Sequence, residues 1–288
     1  MQILIVGIEV GTTYALLAIG FSLIWGVARL LNFTYVVFYM IAAYLVYVLN
    51  TLAGWNYFLA GILSIIITII LGMATYKLLL ERVRAQEIVV IMVSMVLALF
   101  LAQWVFYIFS NKIRYVAPMI EGFITISGVQ VLKQHIFALA IILLVIVGMW
   151  AFLSKTKLGV AIRATAQDRE VVNLMGISEK KISFLVTGIG TAMAAICGVV
   201  VAPLYAVEPF MWFNPLLVVL AAVILGGLGS FKGSIIGAYV LAFVEVSVTF
   251  LLPNGAFVKG AFALALMVTV LLVRPEGLFG VMFEEERL

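Results

Sequence analysis

Residues 3–27, "ILIVGIEVGTTYALLAIGFSLIWGV", form a run of 25 residues with one charged side chain, Glu9. Crossing the hydrocarbon core of a bilayer takes about 20 mainly apolar residues as a helix. A helix is also the form in which such a segment satisfies its own backbone polar groups in lipid. Comparable runs occur at 33–50, 57–80, 88–110, 135–153, 182–206, 214–228, 234–252 and 257–273. The chain therefore reads as an all-α polytopic membrane protein with eight to nine transmembrane helices, forming one transmembrane domain over 1–288. The run at 214–228 is short and glycine-ended, and reads as a half-span or broken helix.

Composition agrees. Of 288 residues, 66% are hydrophobic and only 10% charged, with a mean hydropathy of +1.29. A soluble domain carries about a quarter charged residues. A water-soluble enzyme, a nucleic-acid-binding domain and a secreted disulfide scaffold are thereby excluded. One cysteine, Cys197, cannot form an internal disulfide, and it reads as a small core residue. One cysteine and one histidine cannot build a common zinc or haem site. No catalytic residue, cofactor or metal is expected. Hydrophobicity begins at Ile3 with no basic region before it, so no cleavable signal is expected.

Lys and Arg set the expected orientation. With the N-terminus outside and the 154–181 loop in the cytoplasm, 13 of the 17 fall inside, Arg287 among them. Only Lys112, Arg114, Lys133 and Lys259 fall outside. The positive-inside rule selects this arrangement, with a cytoplasmic C-terminus.

Two loops stand out. The outer loop 111–134 contains "GFITISGVQV", whose alternation around Gly128 predicts a short hairpin. The inner loop is too long for a simple connection. Within it, 166–175 has helical composition, and Gly176 offers a left-handed C-cap. Val171, Leu174 and Met175 make one apolar face, leaving Gln167, Asp168 and Arg169 available for polar contacts. Such a helix must dock on a partner protein or lie in the membrane interface.

The glycine-rich stretch "LGGLGSFKGSIIG" (225–237) is not a P-loop: its Lys232-Gly233-Ser234 lacks the required spacing and the strand before it. Gly229, Gly233 and Gly237 recur every four residues and read as a packing face, as do Gly7, Gly11 and Ala15. His135 and Asp168, the only histidine and aspartate, fall on opposite sides of the bilayer, which excludes a nucleophilic triad. Glu9 and Glu245 each lie on the order of 10 Å below the outer surface. A carboxylate at that depth needs pairing, hydration or protonation. The pair suits a shared outward vestibule or two structural, hydrogen-bonded acids. Tyr35 and Tyr39 share one helix face just after Asn32. They read as interfacial anchors or, with Asn32, as the lining of an inner gate.

Several stretches together resemble the permease subunits of branched-chain amino acid ABC importers, of the shorter of the two permease types. They are "GTTYALLAIGFSLIWGVARLLNF" (11–33), "TKLGVAIRATAQDREVVNLMGIS" (156–178), "LGGLGSFKGSIIGAYVLAFVE" (225–245) and "RPEGLFG" (274–280). The resemblance implies two permeases forming the path, two cytoplasmic ATPase subunits that hydrolyse ATP, and an external substrate-binding protein, in a bacterial or archaeal inner membrane. It implies that Arg163, Ala166, Gln167, Asp168, Arg169 and Gly176 belong to a coupling segment seated on the ATPase. Glu245 matches a position where that family commonly carries Glu, which favours a shared structural or gating role.

One departure comes after Asn32-Phe33. The family continues with a small residue, His and Gly, whereas this chain reads Thr34-Tyr35-Val36-Val37, making the turn more apolar. The expected cargo is a hydrophobic or branched-chain amino acid. The alternatives are urea, short amides or organic carboxylates in the same importer class, or a stand-alone ion-coupled transporter or channel using Glu9 and Glu245.

Overall fold

A computed structural model of the chain describes residues 1–126 and 129–279. Its helices are α1 (Gln2–Ala28), α2 (Thr34–Leu52), α3 (Tyr57–Val83) and α4 (Glu87–Phe109). A two-stranded antiparallel hairpin comes next, β1 (Phe123–Ile126) with β2 (Val129–Leu132). Then come α5 (Lys133–Lys155), α6 (Lys157–Gln167), α7 (Arg169–Leu174), α8 (Glu179–Val201), α9 (Phe213–Gly226), α10 (Phe231–Leu251) and α11 (Gly255–Val273). Among the described residues, eight helices are long and apolar enough to cross a membrane, and α9 is a shorter apolar helix. The hairpin marks one face of the molecule and α6–α7 the other; they are called the hairpin face and the loop face. Gly128, the expected centre of the hairpin turn, lies outside the described residues, as do Gly280 and Arg287.

Helix boundaries have local causes. The Asn56 side chain caps α3 by accepting from Phe58 N, and the Thr156 hydroxyl caps α6 by accepting from Gly159 N at 2.9 Å. Ser230 does the same for α10, accepting from Gly233 N at 3.1 Å. Each satisfies an amide that the first helical turn leaves free. The apolar run 182–206 is not one helix. It stops at Val201: Ala202 still holds helical dihedrals, φ −52° and ψ −37°, but Pro203 has no N–H with which to continue the hydrogen-bond ladder.

Beyond Pro203 the backbone is irregular, and its buried polar groups need partners within the protein. Val207 and Trp212 in this stretch are fully buried. Its backbone pairs with the hairpin-face loop in both directions, Arg114 N to Val207 O at 3.0 Å and Val207 N to Arg114 O at 2.9 Å. From there α9 runs to the loop face, so 202–226 completes a crossing as an irregular segment plus a 14-residue helix.

The centre is built from α1, α2 and α8, the three helices with most of their surface inside the protein. They touch backbone to backbone. Side chains added at Gly190 or Gly198 would meet Gly20 O of α1 and Tyr39 O of α2 respectively. Around this core α10 lies antiparallel to α1, with Phe243 over Gly7 and Tyr239 over Gly11. Gly233 and Gly237 turn instead toward α9, against the carbonyls of Gly226 and Ala222. Gly229 departs from the expected helical stripe: it sits in the turn before α10 with φ +83°, against Gly26.

These contacts predict position-specific tolerance. Gly233→Val should abolish recovery of monodisperse protein in detergent, because no rotamer clears the Gly226 carbonyl. Gly148→Val on α5, where the space is open, should leave recovery and thermal stability within about 0.5 kcal/mol of the parent.

Candidate functional site

Two polar centres sit at opposite ends of the helix core. At the loop face the chain turns sharply from α5 into α6. It then breaks at Asp168, whose backbone is extended at φ −148° and ψ 113°. The expected single helix over 166–175 is therefore two. The reason is local: Asp168 Oδ1 accepts from Val171 N at 3.0 Å, so the aspartate caps α7 instead of extending α6.

The far end of α7 closes as a Schellman motif. Ile177 N donates to Val172 O and Gly176 N to Asn173 O, both at 3.1 Å, with Gly176 at φ +82° and nothing beside it. Among the residues of this short helix whose side chains are described, only Val172 is buried. Leu174 is 88% and Met175 75% exposed, and Val171 is also exposed. An apolar face thus stands open, and Arg163, Gln167 and Asp168 are exposed beside it. Ala166 and Gln167 border a cavity of about 830 Å³ shared with Trp25, Arg29, Ser230 and Glu276.

Arg169, expected to be available for outside contacts, is engaged within the chain. Its Nη2 donates to Val27 O at 2.9 Å, and its Nη1 lies 3.1 Å from Glu179 Oε1. Arg84 Nη2 approaches the same Glu179 oxygen at 2.9 Å. Burial lowers the Arg169 pKa, Glu179 raises it, and Arg29 and Arg84 lower it again. Nothing in the local pattern signals this junction, since Val27, Arg84 and Glu179 are distant in sequence.

The second centre lies in the hairpin half of the membrane. Glu9 and Glu245 are both buried, and each has its own partners. Glu9 Oε1 is 2.6 Å from His135 Nδ1 at the start of α5, and accepts from Tyr205 OH at 3.4 Å. Glu245 Oε2 accepts from Tyr14 OH at 2.9 Å, and Asn214 Nδ2 donates to that hydroxyl at 3.5 Å. Both acids thus cross-brace helices: Glu9 ties α1 to α5 and to the irregular 202–212 segment, and Glu245 ties α10 to α1 and α9. Sequence reading places His135 at the membrane surface and does not pair it with Glu9. Tyr14, Tyr205 and Asn214 give no signal, because an aromatic or amide in an apolar run looks like any other.

The remaining sequence candidates lie in the core. Asn32 Oδ1 accepts from Thr34 N at 3.0 Å, shaping the turn into α2. Tyr35 is fully buried, its hydroxyl donating to Leu17 O at 3.0 Å and its ring edge-on to Phe21. Tyr39 is buried too. Both rings are packed among the helices of this chain. Cys197 is buried with its Sγ 3.9 Å from Thr13 O.

This architecture has known relatives. The family model for the permease component of branched-chain amino acid transport systems matches residues 3–271. The chain belongs to that family. The permease is 30% identical to the high-affinity branched-chain amino acid transport system permease protein BraD of Pseudomonas aeruginosa, over 97% of this chain and 95% of the relative. It is 27% identical to the LivH protein of the corresponding system in Escherichia coli K12, over 95% and 93%. A fructose import permease protein, FruF of Bifidobacterium longum, is 30% identical over 49% of this chain and 41% of its own length.

The Glu9 brace yields a prediction. Removing His135 leaves Glu9 buried with only the long bond from Tyr205, and an unsatisfied buried polar group costs about 1–3 kcal/mol. His135→Leu should lower thermal stability in detergent by an amount of that order. Glu9→Gln should lower it less, and the double variant should cost less than the sum of the two.

Proposed function

We propose that the permease is the membrane-spanning subunit of an ATP-driven importer for hydrophobic, branched-chain amino acids. An external binding protein delivers the cargo, and two cytoplasmic ATPase subunits and a second, related permease complete the machine. The observation that carries this reading is the open apolar face of α7, joined to a chain whose family members include amino-acid permeases along nearly their whole length. Leu174 at the end of this six-residue helix and Met175 just beyond it are exposed in the isolated chain, and in this reading a partner covers them in the complex. This permease supplies no nucleotide motif, so the energy enters through that contact. In this reading Arg163, Ala166, Gln167, Asp168 and Gly176 shape the surface that the ATPase meets.

The N-terminus and hairpin face lie outside, and the C-terminus and α6–α7 lie in the cytoplasm. That orientation puts most of the Lys and Arg on the cytoplasmic side. The path runs along the permease–permease boundary. Asn32, Tyr35, Tyr39, Glu9 and Glu245, all buried, act on it from within the wall by fixing helix positions and not by touching solute. The likeness to a fructose permease protein over half the chain favours a second cargo class, a small polar solute. The decisive experiment is to purify the intact complex and identify what its binding protein holds. A sugar there would replace the amino-acid reading, and a complex that transports without ATPases would end both.

Two substitutions test the coupling surface. Gly176→Val forces a β-branched residue into left-handed backbone at a cost of about 1 kcal/mol or more, so substrate-stimulated ATP hydrolysis should fall. Gly176→Asn, which tolerates that conformation, should retain it. For orientation, a Lys157→Cys variant in a Cys197→Ala background should react with an impermeant thiol reagent in inside-out vesicles and not in right-side-out cells.

A further inference from the structure

Four elements of the loop face meet at a cluster of three side chains, Arg169, Glu179 and Arg84. Arg169 is the first residue of α7, and its guanidinium divides between two partners: Val27 O in the last turn of α1, at 2.9 Å, and Glu179 Oε1 in the first turn of α8, at 3.1 Å. The same Glu179 oxygen holds Arg84, immediately after α3, at 2.9 Å. Side-chain exposures of 30% for Arg169, 13% for Glu179 and 24% for Arg84 set this junction apart from a solvated surface pair, whose worth is small. Val27 O is one of the carbonyls that the end of α1 leaves without an intrahelical donor, and a cation there also complements the helix dipole. A planar fork reaches a carbonyl and a carboxylate at once in a fixed geometry; a lysine ammonium on its flexible stem does not reproduce that geometry.

The helices joined here are those of the core. From the junction, α1 and α8 run antiparallel through the Gly20–Gly190 contact, where backbones touch and little can slide. In the hairpin half they are tied again, as α1 carries Glu9 and the segment after α8 carries Tyr205, 3.4 Å apart. Displacing the loop-face ends of α1 and α8 therefore displaces the elements that hold the irregular 202–212 stretch in place.

We propose that Arg169 is the positioning residue that couples α7 to the membrane helices. It holds the exposed helix to the ends of α1 and α8, with Glu179 as its anchor and Arg84 as the second clamp on that anchor. Arg169 acts inside the permease and does not itself touch the ATPase. This rests on the reading that the ATPase docks on α7, and the test separates the two.

The complex, with its binding protein, is reconstituted in liposomes. Substrate taken up per ATP hydrolysed is measured for Arg169→Lys, Glu179→Gln, their double variant, and Leu174→Asp combined with Met175→Asp. Arg169→Lys and Glu179→Gln are expected to copurify with the ATPases in parental amounts. Uptake per ATP should fall about tenfold in each, within the usual range of coupling between sites, and the double variant should be no worse than either. Glu179→Gln preserves side-chain size and leaves the Arg169–Val27 bond available, so it reports on the junction even where Arg169→Lys yields too little protein. Parental uptake per ATP in Glu179→Gln overturns the proposal, as does loss of the ATPases in Arg169→Lys. The Leu174→Asp, Met175→Asp variant should lose the ATPases; if it retains them, the docking reading fails independently of what Arg169 does.

Discussion

Every backbone N–H and C=O at membrane depth must find its partner inside the protein, because lipid offers none. Through the body of each long helix this is met along the helix itself. The demand becomes exacting where a helix is interrupted, and the architecture is arranged around those places. The carbonyls left open at the end of α9 are taken by amides from beyond α11, Leu278 N to Leu225 O at 2.7 Å and Phe279 N to Gly226 O at 3.1 Å. The stretch "RPEGLFG" thus supplies the cap for a helix far earlier in the chain, and the turn at Gly277, φ +80°, aims those amides. At the other end of the same crossing, Arg114 and Val207 exchange backbone bonds, closing the segment that Pro203 opened.

Close packing supplies the second layer of order. Apolar side chains gain little from meeting each other instead of lipid, so helix association depends on backbone approach and on hydrogen bonds between helices. Both are present on α1. Its glycines admit Tyr239 and Phe243 of α10 and approach the backbone of α8, while Thr12 Oγ1 bonds Tyr239 OH at 2.7 Å. Glu9 and Glu245 extend the principle: each is an acid whose burial is tolerated because it braces helices to one another.

Much of this is legible in the sequence, and for identifiable reasons. Hydropathy over twenty residues reports a transfer free energy, which acts on each segment independently, so most of the long runs are helices whose ends fall within a few residues of those read from the sequence. Gly176 is readable as a left-handed cap because the helix end is decided by its own few residues. The break at Asp168 is equally local and escapes notice: an aspartate inside a helical composition invites continuation, yet its carboxylate competes for the next turn's amide. The apolar run 182–206 misleads similarly, since counting apolar residues overlooks one proline.

What no local pattern contains is the choice of partners. His135 with Glu9, Arg169 with Val27 and Glu179, Tyr14 with Glu245, and the tail with α9 all join positions far apart in the chain, and none differs in type from residues that found other neighbours. By itself the sequence determined which segments cross, where the short helix closes and which family the chain belongs to, because those depend on local transfer energies, local backbone preferences and the order of motifs. Tertiary structure decided which buried polar groups satisfy one another. That depends on which helix faces pack together, and packing is settled only when all the helices compete for the same few backbone-accessible faces.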